Sequence, residues 1–295
     1  MNYVLIGSLG NINSPLVSRL VAAGSSVTVV SSNPEKAAAI VAAGARPAIG
    51  DIGNIDFLTA AFTGADAVYT MVPPKWDAAN WKQYIHQTGK LQAEAVKAAG
   101  VKKVVNLSSI GAHMPAGCGP VSGIHFIEEE FNQLAGVDVK HLRPGYFFNN
   151  FFAATGMIKQ AGFYGNNYGD KEPLILADPA DIAAAAAEEL LALSFTGKSI
   201  RYVVSDQRTS RDVAAVLGAA VGKPALPYVE FSDEDTLKGM LQAGLSEEVA
   251  RNYVEMGVAI RSGEMFSDYK KHPVPLGATR LEDFAKKFAA AYAAA

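Results

Sequence analysis

Tyr3-Val-Leu-Ile6-Gly7-Ser-Leu-Gly10-Asn-Ile-Asn13-Ser-Pro15 is the stretch on which the reading of this chain turns. An apolar run, a glycine pair and the start of a helical pattern make a strand–turn–helix unit. In such a unit the first glycine permits the tight turn, and the second lets a dinucleotide's pyrophosphate approach the backbone. The helix that follows offers unpaired N–H groups to the negative charge. Gly7, Leu9, Gly10, Asn11 and Ile12 are therefore the candidate phosphate cradle. Asn13 stands where a third glycine is usual, so the pattern is G-x-x-G-x-x-[small]. The competing reading is an ordinary strand–helix turn in a fold that no longer binds.

The pattern continues beyond this unit. Tyr3–Ile6, Val27–Val30, Arg46–Ile49, Ala67–Met71, Lys103–Leu107, Val137–Leu142 and Arg201–Val204 read as strands. The first, second, fourth and fifth are nearly continuous apolar runs, as strands covered on both faces require. Helical patterns lie between them at Pro15–Ala23, Pro34–Ala43, Ile55–Phe62, Trp81–Ala99 and Ile124–Leu134. Gly24, Gly44, Gly64, Gly100 and Gly136 each fall between a helical pattern and a strand, where a left-handed C-cap is needed. This alternation predicts a Rossmann-type, doubly wound parallel α/β sheet. Residues 1–150 form the expected dinucleotide-binding domain, completed by a helix and strand near 180–204. Residues 151–295 form a smaller, mainly helical substrate-binding region. Arg143–Asp178 carries little periodicity, and Asp178-Pro179-Ala180-Asp181 reads as a helix cap. Helices are expected at Arg211–Val221, Asp233–Leu241, Ser246–Ile260 and from Leu281, with Ala291–Ala295 a fraying tail.

Composition narrows the classes. The chain has 295 residues, 26 basic and 29 acidic groups, and a formal charge of −3. Hydrophobic residues make 49% and charged residues 19%, the latter below the usual share of about 25%. That balance supports a buried core and gives no electrostatic footing for nucleic acid. A single cysteine, Cys118, excludes an internal disulfide and a multi-cysteine metal site. The histidines show no metal-binding spacing, so no metal is expected. No basic leader precedes the first strand, and no apolar run approaches the roughly 20 residues of a membrane span. The expected setting is cytoplasmic, with a small molecule rather than a membrane as partner.

Further candidates follow the strand ends. Ser31-Ser32-Asn33-Pro34 follows the second strand, where an acidic residue would hold the ribose 2′-hydroxyl of NAD. None is present, and Ser31, Ser32 and the nearby Lys36 lean the reading to NADP, with NAD still open. The same serines suit a turn and cap. Asp51 and Ile52 follow the third strand, beside the adenine or simply in a turn. Val72 and Pro73 follow the fourth, near the nicotinamide ribose or merely terminating the strand. Ser108 and Ser109 follow the fifth, as a substrate-polarising hydroxyl or as a turn.

Gly7-x-x-Gly10, Gly50-Asp51, Asn106-Leu-Ser-Ser-Ile-Gly111 and Leu142-Arg-Pro-Gly-Tyr-Phe-Phe-Asn149 occur in that order. With Gly222-Lys-Pro and Thr279-Arg-Leu-Glu-Asp-Phe284 they resemble the NmrA-like branch of the atypical short-chain dehydrogenase/reductases. Within it the chain is similar to the NAD(P)H:quinone oxidoreductase type over nearly its whole length. The resemblance implies a nicotinamide cofactor and a small-molecule substrate, a quinone among the candidates, and is compatible with a homodimer. A typical family enzyme has Tyr-x-x-x-Lys at the helix before the Arg-Pro-Gly segment. Here Val121 and His125 occupy those places. Val121 cannot transfer a proton. The resemblance to atypical members gives His125 a ribose or nicotinamide contact, against which stands a plain helix histidine.

Reducing an ordinary ketone leaves an alkoxide that needs a placed acid. A quinone takes hydride more readily, because aromatisation drives the step and the hydroquinone anion is stabilised. Its proton can come from solvent, His113 or Tyr146, and Pro144 and Tyr146 are placed at the nicotinamide end. Tyr146-Phe-Phe148, Phe151-Phe152 and Phe163-Tyr164 line a flat apolar pocket or belong to the core. Trp76 and Trp81 either cover the site or anchor a helix. His113 lies in a glycine-rich loop and is expected to be wet; Cys118 is expected to be inert. The expected activity is hydride transfer to a quinone or conjugated carbonyl compound. A non-catalytic NAD(P)-binding redox sensor and a sugar-nucleotide epimerase-like protein are the alternatives.

Overall fold

A computed structural model describes residues 1–294. Its centre is a sheet of seven parallel strands. They are β1 (Asn2–Ile6), β2 (Ser26–Ser31), β3 (Arg46–Ile49), β4 (Ala67–Thr70), β5 (Lys103–Leu107), β6 (Asp138–Pro144) and a seventh, Lys198–Val203. The spatial order is Lys198–Val203, β6, β5, β4, β1, β2, β3. The chain thus winds outward from β1 in one direction, then returns to β4 and winds outward in the other. That reversal opens a crevice at the carboxyl ends of β1 and β4, where open α/β sheets bind ligands.

The period of two in the strands explains why both faces are covered. In β1, Tyr3 and Leu5 join Leu16, Val17 and Leu20 of α1 (Asn13–Ala22) and Ala183, Ala186 and Leu190 of the helix Pro179–Ala192. Val4 and Ile6 point the other way. They join Leu58 and Phe62 of α3 (Ile55–Phe62), Ile85, Ala93 and Val96 of α4 (Trp81–Ala98), and Ile127 and Phe131 of α5 (Val121–Asn132). Gly24, Gly44, Gly64, Gly100 and Gly136 all take positive φ, between 70 and 79°. The first four close their helices as expected, because the left-handed conformation costs glycine nothing; α5 ends earlier, at Asn132, and Gly136 serves the turn into β6 instead.

Several boundaries differ from the sequence reading. Pro34–Ala43 divides into a 3₁₀ turn, Pro34–Lys36, and a short α2, Ala37–Ala42, since Pro34 starts the turn under the Asn33 cap. α5 begins at Val121 rather than Ile124. The last strand pairs from Lys198 instead of Arg201. The segment after Leu142, in which no periodicity was legible, holds strands too short to show one. Tyr146–Phe147 and Asp206–Arg208 flank Leu174–Ala177, and Tyr164–Asn166 pairs with Tyr228–Glu230. Asp178 caps its helix by accepting from the Ala180 N–H at 2.7 Å. The terminal alanines expected to fray are helical through Ala294; Ala295 lies outside the described residues. A separate aromatic core of Phe148, Phe151, Phe266, Phe284 and Phe288 holds the C-terminal elements together.

Candidate functional site

Gly7 has φ of 110°, and a Cβ there would lie 2.5 Å from Met71 Sδ. Ser8 follows in the left-handed region, with its N–H donated to the Val30 carbonyl at 3.0 Å. This turn carries the chain from β1 over the end of β2. Asn13, at the third-glycine position, is buried, and its Nδ2 donates to the Ile6 and Ser8 carbonyls, both at 2.9 Å. The asparagine thus pins the loop in place of a packing glycine. Intrahelical bonding starts only at Ser14 N–H to Gly10 O. Among the described residues, the N–H groups of Leu9, Gly10, Asn11, Ile12 and Asn13 find no acceptor. A Cβ on Gly10 would meet nothing within 4 Å. Donors without acceptors at a helix N-terminus, beside open space, are the features a diphosphate requires.

The other strand ends divide. Ser31 is buried, and its hydroxyl bonds Ser8 Oγ at 3.2 Å and the Asn33 backbone. Ser32 and Asn33 are exposed at the same edge. Asp51 is exposed and accepts from the Gly53 N–H at 2.8 Å, which makes the turn before α3. The cap of α3 is Asn54, not Asp51. Ile52 is half-buried against the α3–α4 core. Val72 and Pro73 are half-buried after β4, and Pro73 O accepts from the Tyr84 hydroxyl at 3.3 Å.

Ser108 lies in a buried polar network. Its hydroxyl donates to Glu128, and Glu128 takes a bidentate pair from Arg143, Nε to Oε1 at 2.9 Å and Nη2 to Oε2 at 2.6 Å. Arg143 Nη1 reaches Asp268 Oδ2 at 3.0 Å and the Tyr202 hydroxyl at 3.3 Å, and Tyr202 itself donates to Asp268. Burial opposes the Arg143 charge, but hydrogen bonding and attraction from Glu128 outweigh it and raise its pKa. The fork of Arg143 thereby joins β5, α5, β6 and the short helix Ser267–Lys271. The local motif Leu142-Arg-Pro-Gly gave no sign of this, because the partners lie 15 and 125 residues away.

Val121 is 5% exposed, and His125 lies one helical turn on. His125 Nδ1 is 2.8 Å from the Ala112 carbonyl and Nε2 is 3.3 Å from Glu129, so both ring nitrogens have protein partners. His113 is not the wet histidine the sequence suggested. It is half-buried against the helix Ser267–Lys271, Nε2 3.0 Å from Ser267 Oγ and Nδ1 without a partner among the described residues. Burial lowers its pKa. Cys118 is sealed from solvent, and burial pushes its thiol up to about 12, in line with the inert role expected.

Tyr146 emerges from the carboxyl end of β6 into a cavity of about 700 Å³. Tyr164, Tyr168, Tyr253, Phe151, Phe231 and Trp76 share its walls. The aromatic segment is therefore divided: Phe148 and Phe152 pack on Phe284, whereas Tyr146 and Phe151 border the cavity. The tryptophans divide too. Trp81 is buried at the start of α4, with its backbone N–H donated to Glu248, while Trp76 is 53% exposed at the cavity. The Tyr146 hydroxyl lies 3.4 Å from that of Tyr168. Burial, with the neighbouring Tyr168 and Tyr164, raises the Tyr146 pKa well above its ordinary value, so it is a neutral donor at pH 7. Among the described residues no group of three or more His, Cys, Asp or Glu is placed to hold a metal, and no helix is long and apolar enough to cross a membrane.

Residues 7–151 match the NAD(P)H-binding family profile. They form an NAD(P)H-binding domain. Two curated relatives span most of both chains. The quinone oxidoreductase 2 of Escherichia coli is 27% identical over 90% of this chain and 88% of its own. A (4-alkanoyl-5-oxo-2,5-dihydrofuran-3-yl)methyl phosphate reductase of Streptomyces griseus is 25% identical over 88% and 87%. Among solved structures, an NADPH-dependent quinone oxidoreductase of E. coli in complex with NADPH covers 97% of this chain and 99% of its own, with a TM-score of 0.83 at 23% identity. The triphenylmethane reductase of Citrobacter covers 98% and 100%, with a TM-score of 0.80 at 20% identity. At those identities the structures speak for the fold. The likeness to the quinone oxidoreductase type read from the motifs is matched by the Escherichia coli relative.

Proposed function

We propose that this protein is an NAD(P)H-dependent oxidoreductase that passes hydride to a quinone or similar conjugated carbonyl compound. The observation that carries the reading is the aromatic cavity at the carboxyl edge of the NAD(P)H-binding sheet, bordered by residues that follow β4 and β6. The names of the two curated relatives, a quinone oxidoreductase and a furanone phosphate reductase, point to conjugated acceptors. Each fits a site in which Val121 replaces the usual proton donor.

The free amides from Leu9 to Ile12 would bind the diphosphate over Gly7 and Gly10. The exposed Ser32, with Ser31 behind it, would meet the adenosine ribose, and Asp51 and Ile52 the adenine side. Val72, Pro73, Pro144 and Tyr146 would border the nicotinamide end. The end of β2 carries no carboxylate, and the exposed Lys36 lies close by in sequence, which favours NADPH over NADH. The reduced nicotinamide supplies the hydride when bound. The Tyr146 hydroxyl would donate a hydrogen bond to the acceptor's carbonyl, and the aromatic walls would exclude water from it. A quinone gains two electrons and one hydrogen in that transfer, and water supplies the second proton. His113, turned towards Ser267 and absent from the cavity walls, does not fit the proton-donor role weighed for it. Ser108, engaged by Glu128, does not fit the polarising role. His125 fits best as a tie between α5 and Ala112.

The test is oxidation of NADPH by pure protein with 1,4-benzoquinone, followed at 340 nm. Turnover above the uncatalysed rate supports the reading, and its absence at saturating cofactor with both this quinone and 9,10-phenanthrenequinone removes it. The second reading, a dinucleotide-binding redox sensor, is favoured by Val121 and by the occupied nitrogens of His125. It requires different affinities for oxidised and reduced cofactor without turnover on any acceptor.

A further inference from the structure

The cavity is larger than a single-ring quinone needs. Its volume of about 700 Å³ lies within the range of drug-sized ligand pockets, about 300–1,000 Å³. Tyr146, two residues past β6, lines it together with Thr236, Gly239 and Met240 of the helix Asp233–Gln242. The rest of the lining is mostly aromatic and aliphatic, with side-chain amides at Asn149, Asn150, Asn166 and Asn167. Among the described residues no lysine, arginine or histidine lines it, and the carboxylate on its walls is that of Asp235.

Trp76 stands at the border of this space. Its ring stacks on Tyr253, centroids 6.1 Å apart and planes at 24°, and Trp81 braces it at 5.2 Å. Tyr253 is itself wedged against Trp81, edge-on at 5.4 Å. Trp81 is fixed through Glu248, and the neighbouring Lys82 through Glu255, both on the helix Glu247–Arg261 that carries Tyr253. The indole is thus held from behind, yet remains 53% exposed. A large aromatic surface that folding leaves uncovered at a cavity is a platform for another planar ring.

We infer that the site takes uncharged acceptors of two or three fused rings, and that Trp76 selects them by stacking on the rings furthest from Tyr146. This deepens the proposed oxidoreductase activity and rests on it. Anionic acceptors are rejected because no cation among the described residues lines the cavity to offset the loss of their hydration, and Asp235 adds repulsion.

The experiment compares kcat/KM for 1,4-benzoquinone, 9,10-phenanthrenequinone, 1,2-naphthoquinone and 1,2-naphthoquinone-4-sulfonate, with NADPH saturating. The unaltered protein is expected to prefer the three-ring quinone to the one-ring quinone. It should discriminate at least tenfold against the sulfonate relative to the unsubstituted naphthoquinone. In Trp76→Ala the three-ring to one-ring ratio should fall about tenfold, chiefly through KM, and Trp76→Phe should restore most of it. An unchanged ratio in Trp76→Ala, or a preference for the sulfonate, overturns the inference while leaving the activity standing. Quenching of tryptophan fluorescence by phenanthrenequinone without cofactor reads the binding apart from turnover. Saturable quenching whose apparent affinity falls about tenfold in Trp76→Ala, with Trp81 remaining as the reporter, supports the platform even if no quinone is reduced, whereas absence of saturable quenching, or an unchanged affinity in Trp76→Ala, overturns it.

Discussion

Gly7 and Gly10 are both glycines of one loop, but they are needed for different reasons, and substitution separates them. Gly7 takes a conformation a side chain rarely adopts and is crowded by Met71. Gly7→Ala should therefore destabilise the fold, by about 1–3 kcal/mol, as read by urea unfolding. Gly10 faces open space. Gly10→Val should leave the unfolding midpoint nearly unchanged but weaken NADPH binding at least tenfold by calorimetry, because the branched side chain occupies the space over the free amides. His141 gives a second residue-scale prediction. It accepts from Asn106 Nδ2 at 3.0 Å through Nδ1 and faces Asn132 Oδ1 at 3.1 Å through Nε2, so it is held neutral. Burial lowers its pKa to about 4, below the ordinary value of about 6.5. A depressed folded-state pKa means that the stability it contributes is complete above pH 6.5 and is lost as pH falls towards 4. The loss approaches about 3 kcal/mol. Unfolding from pH 7 to pH 4 should show this slope, and His141→Gln should flatten it. None of this pairing was legible in the sequence, where His141 is one of three polar letters, with Asp138 and Lys140, in the expected strand Val137–Leu142.

At the scale of elements, the sheet was readable because four of its strands, the first, second, fourth and fifth, are covered on both faces and so are nearly continuous apolar runs. The first helices were readable because a glycine, at 24, 44, 64 and 100, follows each one where the chain turns back. Boundaries slipped where a local cap competed with periodicity, as at Asn33-Pro34, or where pairing added polar residues such as Lys198 and Ser199 to a strand. The Ser108–Glu128–Arg143 network escaped notice because a buried ion pair leaves no periodic trace: each partner looks like an ordinary surface residue of its own element. Its energetic weight is testable. Glu128 and Arg143 side chains are 7% and 6% exposed, and breaking such a pair costs about 3–5 kcal/mol because the remaining charge stays buried. Glu128→Ala should lose about 3 kcal/mol in urea unfolding, Asp268 keeping part of the Arg143 charge compensated. The double variant Glu128→Leu, Arg143→Met should recover much of that loss. The aromatic run from Tyr146 to Tyr164 shows the other limit. Which rings enter the core and which line a cavity depends on short strands formed with segments some sixty residues distant, such as Tyr228 on Tyr164.

For the molecule as a whole, the sheet and the C-terminal elements meet at the cavity and at Arg143, so cofactor binding should be felt as global stability. NADPH at about 100 times its dissociation constant should add about 2.7 kcal/mol, seen as a rise in the thermal midpoint that grows with ligand concentration. An unchanged midpoint at that concentration would mean the amide cradle is empty of function. The sealed thiol bears on survival under the proposed chemistry. Quinones arylate sulfur by conjugate addition, and the attacking form is the thiolate. With Cys118 enclosed and its proton held to about pH 12, the folded chain offers such an acceptor no attacking thiolate. Turnover of a thiol-reactive compound would then leave the catalyst's one sulfhydryl unmodified.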